Sequence, residues 1–305
     1  MYNSKVKESF IAGYSCCSNL RSIAAHFESV EKSEEKIGKD IAEMSKSEAI
    51  STANSVPFFE MATAENFLST MKSYAKWCAS DGIFKMSSDG GIFSVTLSDI
   101  DPAIYIGKMF FKNESDFLDS LRSVRGFYDG YPDVVALAFA WLGLSYDEIL
   151  GLKDSDIDTD LRKIHVNGEI LEYSDLINDV FTAFRSCNES IRGNYSVIKD
   201  NSTDFFLKRM CSKGSKKFGT PIKKHQLADS ISKVNTICCE NGGKPVFTMI
   251  NVLRSGAMSR ILSAEKAGLA VFEKENCDQV ERIARSGKYR NLIWQYKHYK
   301  KAFNL

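Results

Sequence analysis

The chain has 305 residues, which is enough for two domains that each bury a core of their own. Hydrophobic residues make up 44% and charged residues 26%, the balance of an ordinary soluble globular protein. The net charge of +1 does not by itself indicate a nucleic-acid partner, and no apolar run or signal peptide indicates a membrane. The eight cysteines lack zinc-ligand spacing and no nucleotide-binding glycine motif occurs, so no cofactor or metal is expected.

The N-terminal part of the chain is predicted to be a small helical bundle. Apolar residues follow the helical period from Leu20 to Val30 and again from Phe67 to Cys78. Between these segments, Ser45-x-x-Glu48 is a capping box, which predicts the start of another helix. We therefore predict a helical domain over residues 1–85.

A turn-rich sequence, SSDGG at residues 87–91, follows this bundle and predicts a linker over residues 86–110. A second domain is predicted over residues 111–305. It begins with a helix whose apolar positions run from Phe117 to Val124, and Pro132 suits the first turn of the next helix.

The stretch from Leu137 to Asp158 contains the most informative local pattern. An apolar helix runs into Gly143-Leu144, and Ser145-x-x-Glu148 is a capping box for a short helix after it. Residues 163–172 (KIHVNGEILE) contain Asn167-Gly168, the favoured pair of a type I′ turn, and predict a β-hairpin. Helical periodicity returns afterwards, so the predicted class is mainly α with a small β-hairpin, an α+β fold.

Positive charge is concentrated in two segments. Residues 208–224 contain seven basic and no acidic residues, and residues 281–305 contain seven basic residues against Glu281 alone. Local basic surfaces of this kind can neutralise phosphates, although a solvated loop and a solvated tail helix would give the same composition. The candidate DNA-binding residues of the first segment are Lys208, Arg209, Lys213, Lys216, Lys217, Lys223 and Lys224.

The stretch at residues 137–158 resembles the first catalytic box of the tyrosine recombinases, the phage integrase family. Asn251-Val252-Leu253-Arg254 resembles the second box, and the helical bundle at residues 1–85 is similar to the core-binding domain of integrases. The resemblance implies an integrase-like architecture with a core-binding-like domain and a recombinase-like domain. It also implies double-stranded DNA as partner, and Arg254, Lys72 and Lys76 as further contacts.

Several residues that the family needs for strand cleavage are replaced. Members use a tyrosine nucleophile, two arginines that hold the phosphate, and a lysine and histidine that assist proton transfer. Ser145 stands where the first arginine is expected, and Asn251 stands where the histidine of the second box is expected. The chain contains no Gly-His pair, and Lys163 lies early in the hairpin. No catalytic residue and no enzymatic activity are expected; the candidate nucleophiles would be Tyr289, Tyr296 and Tyr299.

The eroded pattern is most similar to the catalytically silent members of the family, the phage lytic-cycle repressors. The similar segments are the start of the chain at residues 1–10, residues 34–41, and Leu253-Arg254-Ser255-Gly256. The expected function is a sequence-specific transcriptional regulator that binds operator DNA in the bacterial cytoplasm, on the nucleoid. Two alternatives stay open: an active recombinase with displaced residues, and an interaction module that has lost DNA binding. A homo-oligomer or a regulatory protein partner is also left open.

Overall fold

The protein consists of two compact units. The structure, a computed structural model, describes residues 1–13, 20–125, 131–192, 195–212, 215–240 and 247–305. The first unit comprises Met1–Ile106 together with Lys297–Leu305, and the second comprises Gly107–Tyr296. The predicted class, mainly α with small antiparallel sheets, is confirmed.

Four helices form most of the first unit: α1 (Ser4–Gly13), α2 (Leu20–Ile37), α3 (Lys46–Ala53) and α4 (Met61–Ser80). The capping box at the start of α3 is confirmed, because the Ser45 hydroxyl accepts from the Glu48 amide and the Glu48 carboxylate accepts from the Ser45 amide. Aromatic rings fill the core, with Tyr74 centred 4.9 Å from Phe27 and 5.3 Å from Phe10. The sequence did not predict α1.

The segment expected to be a linker, residues 86–110, is structured. It contains two short 3-10 helices at Gly91–Ser94 and Leu97–Asp99, and then α5 (Ala103–Met109). Ile92, Val95 and Ile100 are buried in it. The Asn54 side chain donates to the Asp99 carbonyl (2.9 Å) and accepts from the Asp101 amide (2.6 Å). Most of this segment thus belongs to the first unit, because its apolar residues bury against that unit's helices.

The second unit is built around helix α7 (Pro132–Trp141), in which every residue from Asp133 to Trp141 is buried. A helix that is apolar on all sides is the usual centre of a large core. Pro132 occupies its first turn, as predicted. None of the helices in the described part of the chain combines the length and apolarity needed to cross a membrane. The other helices are α6 (Glu114–Arg125), α8 (Tyr146–Gly151), α9 (Asp175–Ser186), α10 (Lys224–Glu240), α11 (Met249–Lys266), α12 (Cys277–Ala284) and α13 (Tyr289–Phe303), whose end belongs to the first unit.

Two small antiparallel sheets lie in the second unit. The first contains β1 (Ile157–Asp158), β2 (Lys163–Val166) and β3 (Glu169–Glu172) in that order. Its hairpin turn has positive φ at Asn167 (50°) and Gly168 (80°), which confirms the type I′ prediction. The second sheet was not predicted; it contains β4 (Glu189–Arg192), β5 (Tyr195–Lys199) and β6 (Met210–Ser212).

Helices α7 and α11 approach each other closely at Gly256. A Cβ atom on this glycine would lie 2.0 Å from the Trp141 carbonyl oxygen, so only glycine fits. Gly143, just after α7, has φ +92°, and a Cβ there would lie 2.8 Å from side-chain atoms of both Arg260 and Arg285. Gly256 lets α11 pack against the backbone at the end of α7, and Gly143 lets Arg260 and Arg285 pack beside the turn where the first box is expected.

Candidate functional site

Ser145, which stands where the family's first arginine is expected, is the N-cap of α8. Its hydroxyl accepts a hydrogen bond from the Glu148 amide (3.3 Å), and the Glu148 carboxylate accepts from the Ser145 amide (2.7 Å). The capping box predicted from the sequence is therefore present. The cap accounts for a serine at this position, and a neutral hydroxyl supplies no cation to a phosphate.

Carboxylates surround this position. Glu148 accepts from the Asn167 side chain at the hairpin turn (3.0 Å) and from the Arg285 guanidinium (3.2 Å). The same guanidinium forms an ion pair with Glu169 on β3. Two carboxylates thus share Arg285, so this arginine is engaged within the protein and is not free to clamp a phosphate. Sequence reasoning missed this network, because Arg285 lies 116 residues from Glu169 and 137 residues from Glu148 along the chain.

Arg260 on α11 was not singled out by the sequence, yet it is a central residue of this region. Its guanidinium donates to the carbonyls of Ile283 (2.9 Å) and Ala284 (2.7 Å), and also to the Trp141 carbonyl. These carbonyls end helices α12 and α7, whose C-termini attract a cation. Burial, together with the charge of the neighbouring Arg285, lowers the pKa of Arg260 to about 9. Arg260 therefore stabilises two helix ends.

The second box lies at the start of α11. Asn251 is 5% exposed, and its backbone N–H donates to the hydroxyl of Thr248, the N-cap of the helix (3.1 Å). Its carbonyl accepts from Ser255, whose hydroxyl also accepts from the Phe111 amide (3.1 Å). Arg254 follows on the same helix and is half-buried. An amide at position 251 cannot donate and regain a proton as a histidine does near neutral pH.

The hydroxyl groups of two candidate tyrosines are engaged inside the protein. Tyr296 is fully buried and donates to the Glu265 carboxylate (2.6 Å), and Tyr289 donates to the Val271 carbonyl (3.1 Å). Tyr299 is also fully buried. The packing of the C-terminal helix accounts for all three tyrosines.

The hairpin Lys163 ammonium lies 3.9 Å from the Glu172 carboxylate.

Two of the basic residues predicted to bind DNA have internal partners. Lys208 is 8% exposed and forms an ion pair with Asp154. Arg209 donates to the carbonyls of Thr220 (2.8 Å) and Pro221 (2.6 Å), and to the Gln226 side chain (2.6 Å). Arg209 thereby fixes the loop that leads into α10.

Four lysines from the same segment are exposed around that loop: Lys216, Lys217, Lys223 and Lys224. We name them the lysine row. The Lys224 ammonium is 3.6 Å from the mostly exposed Asp147, a pair that water screens strongly. Lys213 lies outside the described residues. In the first unit, Lys72 is half-buried and Lys76 is exposed, one turn apart on α4.

Comparison with known proteins gives one family and several solved structures. Residues 1–80 match the family described as MrpR, N-terminal core-binding domain. The chain is similar to the XerA recombinase at 13% identity, covering 99% of this chain and 95% of that one, with a TM-score of 0.41. It is similar to the Tn1549 transposon integrase in complex with transposon right end DNA at 14% identity, covering 97% and 93%, with a TM-score of 0.39. No curated protein matches the chain.

The core-binding domain that the sequence predicted at the N-terminus is thus confirmed by the family match. The solved structures come from the recombinase and integrase group that the sequence resembles.

Proposed function

We propose that the protein is a sequence-specific DNA-binding transcriptional regulator on a recombinase-like scaffold that does not cut DNA. The observation that carries the proposal is Ser145, a helix cap beside Glu148 and Glu169 where strand cleavage would need a cation. In this proposal it acts as a phage or prophage lytic-cycle repressor, bound to operator DNA in the cytoplasm of the bacterial host.

The absence of cleavage follows from the charge that phosphoryl transfer builds up. Removing one donor that stabilises this charge costs a rate factor of about 10² to 10³ in well-studied enzymes. Here the first arginine is replaced by Ser145 and the histidine of the second box by the buried Asn251. Both replacements remove groups that strand cleavage needs, and Arg285 is held by Glu148 and Glu169, so we expect no measurable cleavage.

Binding to double-stranded DNA is supported by the match of residues 1–80 to a core-binding domain and by the exposed lysine row. Lysines at phosphates set affinity and register without reading sequence. We propose that Lys216, Lys217, Lys223 and Lys224 act in this way, together with Arg254, Lys72 and Lys76. Base recognition would come from helices of the two units.

The test is a combined binding and trapping assay on the full chain. Labelled duplexes from the protein's own genetic neighbourhood, each also prepared with a nick, are run on native and on denaturing gels. We expect a salt-sensitive native shift on a subset of fragments and no band that survives denaturant.

A denaturant-resistant adduct would refute the proposal and establish an active recombinase, and replacement of each tyrosine in turn would identify the nucleophile. The absence of any shift at low salt would also refute it, in favour of an interaction module that does not bind DNA.

A further inference from the structure

A second cluster of cations surrounds a cavity of about 310 Å³ in the second unit, apart from the lysine row. Arg185 at the end of α9, Lys199 at the end of β5, and Lys208 just before β6 contribute the positive charges. Asp154 contributes the one carboxylate among the residues that line this cavity. The lining therefore carries a surplus of two positive charges.

These cations are held rigidly and are poorly hydrated. Lys199 is 7% exposed, and its ammonium donates to the carbonyls of Phe184 (2.6 Å) and Arg185 (2.7 Å). The Arg185 guanidinium donates to the carbonyls of Asp154 (2.8 Å) and Ile157 (2.7 Å). Lys208, at 8% exposure, pairs with Asp154. Backbone carbonyls thus orient Lys199 and Arg185 without neutralising them, and Asp154 is the one carboxylate that compensates this cluster.

Donor capacity is left over in the cavity. An ammonium group has three protons. Lys199 uses two of them on carbonyls and Lys208 uses one on Asp154, so in the described part of the chain three protons have no protein acceptor. Burial lowers the pKa of Lys199; the charges of Lys208 and Arg185 act in the same direction, and Cys187 and Asp154 oppose the shift. Like charges enclosed together are costly unless an anion compensates them.

We propose that this cavity binds a small oxyanion of the phosphate class, held by Lys199 and Lys208 with Arg185 beside it. A doubly charged phosphate group would balance the two surplus positive charges and accept hydrogen bonds from the remaining ammonium N–H groups. The volume lies at the lower end of the range for small-ligand pockets. A phosphate within a duplex backbone meets groups at the protein surface, whereas Lys199 and Lys208 are recessed, so the source is a free ligand and not DNA.

The probe is inorganic phosphate, titrated into the full chain by calorimetry without DNA, at an ionic strength fixed with sodium chloride. We expect saturable binding of one equivalent per chain. Lys199→Met and Lys208→Met, which keep the length of the side chain, should each weaken it by about tenfold or more, as loss of hydrogen bonds to a charged group does. Lys216→Met removes one exposed charge and should leave phosphate binding unchanged.

A substitution that should strengthen phosphate binding, where the lysine substitutions weaken it, distinguishes a binding site from a merely structural ion pair. Asp154→Asn removes the carboxylate that competes for Lys208, so it should tighten phosphate binding several-fold. Melting curves check that each variant folds. Wild-type protein that takes up no phosphate would refute the proposal, as would lysine variants that behave like Lys216→Met. The proposal would also be refuted if inorganic phosphate did not bind while Lys199→Met weakened DNA binding, because the cavity would then bind a phosphate of the DNA backbone.

Discussion

A small cluster of buried charged residues in the first unit makes the stability of that unit depend on pH. Lys7 and Glu34 are fully buried and form an ion pair, and the Tyr74 hydroxyl donates to the nearby buried Asp40 (3.0 Å). The second Glu34 oxygen accepts from the Ile41 amide (3.0 Å). Burial raises the pKa of Glu34 to about 6, although Lys7 opposes this shift. The Lys7 ammonium also lies 4.0 Å from Asp40, so two carboxylates share one ammonium and the protonated form of Glu34 is favoured on folding.

Glu34→Gln should therefore change the pH profile of unfolding. In the wild type, the folded chain binds the Glu34 proton more tightly than the unfolded chain, so this group's contribution to stability is lost as the pH rises through about 6. Between pH 4.5 and pH 7 we expect the free energy of unfolding of the variant to gain ~2 kcal/mol relative to wild type. Urea unfolding at several pH values measures this difference.

The exposed neighbour Glu35 provides the matched control, because Glu35→Gln removes a carboxylate that faces solvent. Its difference from wild type should not vary over the same pH range. Parallel pH profiles for wild type and Glu34→Gln would contradict the account of this buried group.

Gly256 tests the close packing of α7 against α11. Gly256→Ala places a Cβ 2.0 Å from the Trp141 carbonyl oxygen, so the helices must separate. We expect a loss of about 2 kcal/mol or more in the free energy of unfolding, the cost of overpacking a core. Gly151→Ala, also at a helical glycine but with open space around it, should be neutral or slightly stabilising. Equal changes in the free energy of unfolding for the two substitutions would contradict the steric clash with the Trp141 carbonyl as the cause.

Among the structural elements, the loop before α10 contains basic residues of two kinds, which hold the loop or face solvent, and the sequence could not distinguish them. Arg209 holds the loop through the Thr220 and Pro221 carbonyls, while Lys216 and Lys217 are exposed on it. All belong to one acid-free run of sequence, so composition alone predicted the same role for each. The side chains that are exposed are the candidates for phosphate contact.

Charge reversal at Lys216 and Lys217 tests that role. Lys216→Glu combined with Lys217→Glu should weaken binding on all DNA sequences and reduce the slope of log affinity against log salt by about 1 to 2. Lys266→Glu with Lys274→Glu, two exposed lysines elsewhere in the second unit, should leave the slope unchanged. An unaltered slope in the first variant would remove the lysine row from the DNA-binding surface.

At the scale of the whole molecule, the chain holds two compact units with separate cores. Because each unit buries its own apolar residues, we expect two unfolding transitions in scanning calorimetry. Glu34→Gln should shift one and Gly256→Ala the other. Inorganic phosphate should raise only the transition that responds to Gly256→Ala, because a ligand stabilises the unit that binds it. A single transition that both substitutions shift would contradict this division.

Features whose physical causes lie within a few residues of each other could be predicted from the amino-acid sequence. The two capping boxes, at Ser45 and Ser145, and the type I′ turn at Asn167-Gly168 are each fixed by side-chain or backbone chemistry of neighbours. The core-binding type of the N-terminal domain, predicted over residues 1–85, is confirmed by the family match over residues 1–80, whereas the replacement of catalytic residues by Ser145 and Asn251 stays a prediction.

Contacts between distant segments determine which charged side chains are available to a ligand and which are structural, so these roles could not be predicted. Arg260 bonds to the Trp141 carbonyl across 119 residues, and Lys208 pairs with Asp154 across 54. The second sheet and the cation-lined cavity depend equally on distant segments. A charged side chain looks the same in a sequence whether water or a carbonyl solvates it, so its role is set by the residues that folding brings to it.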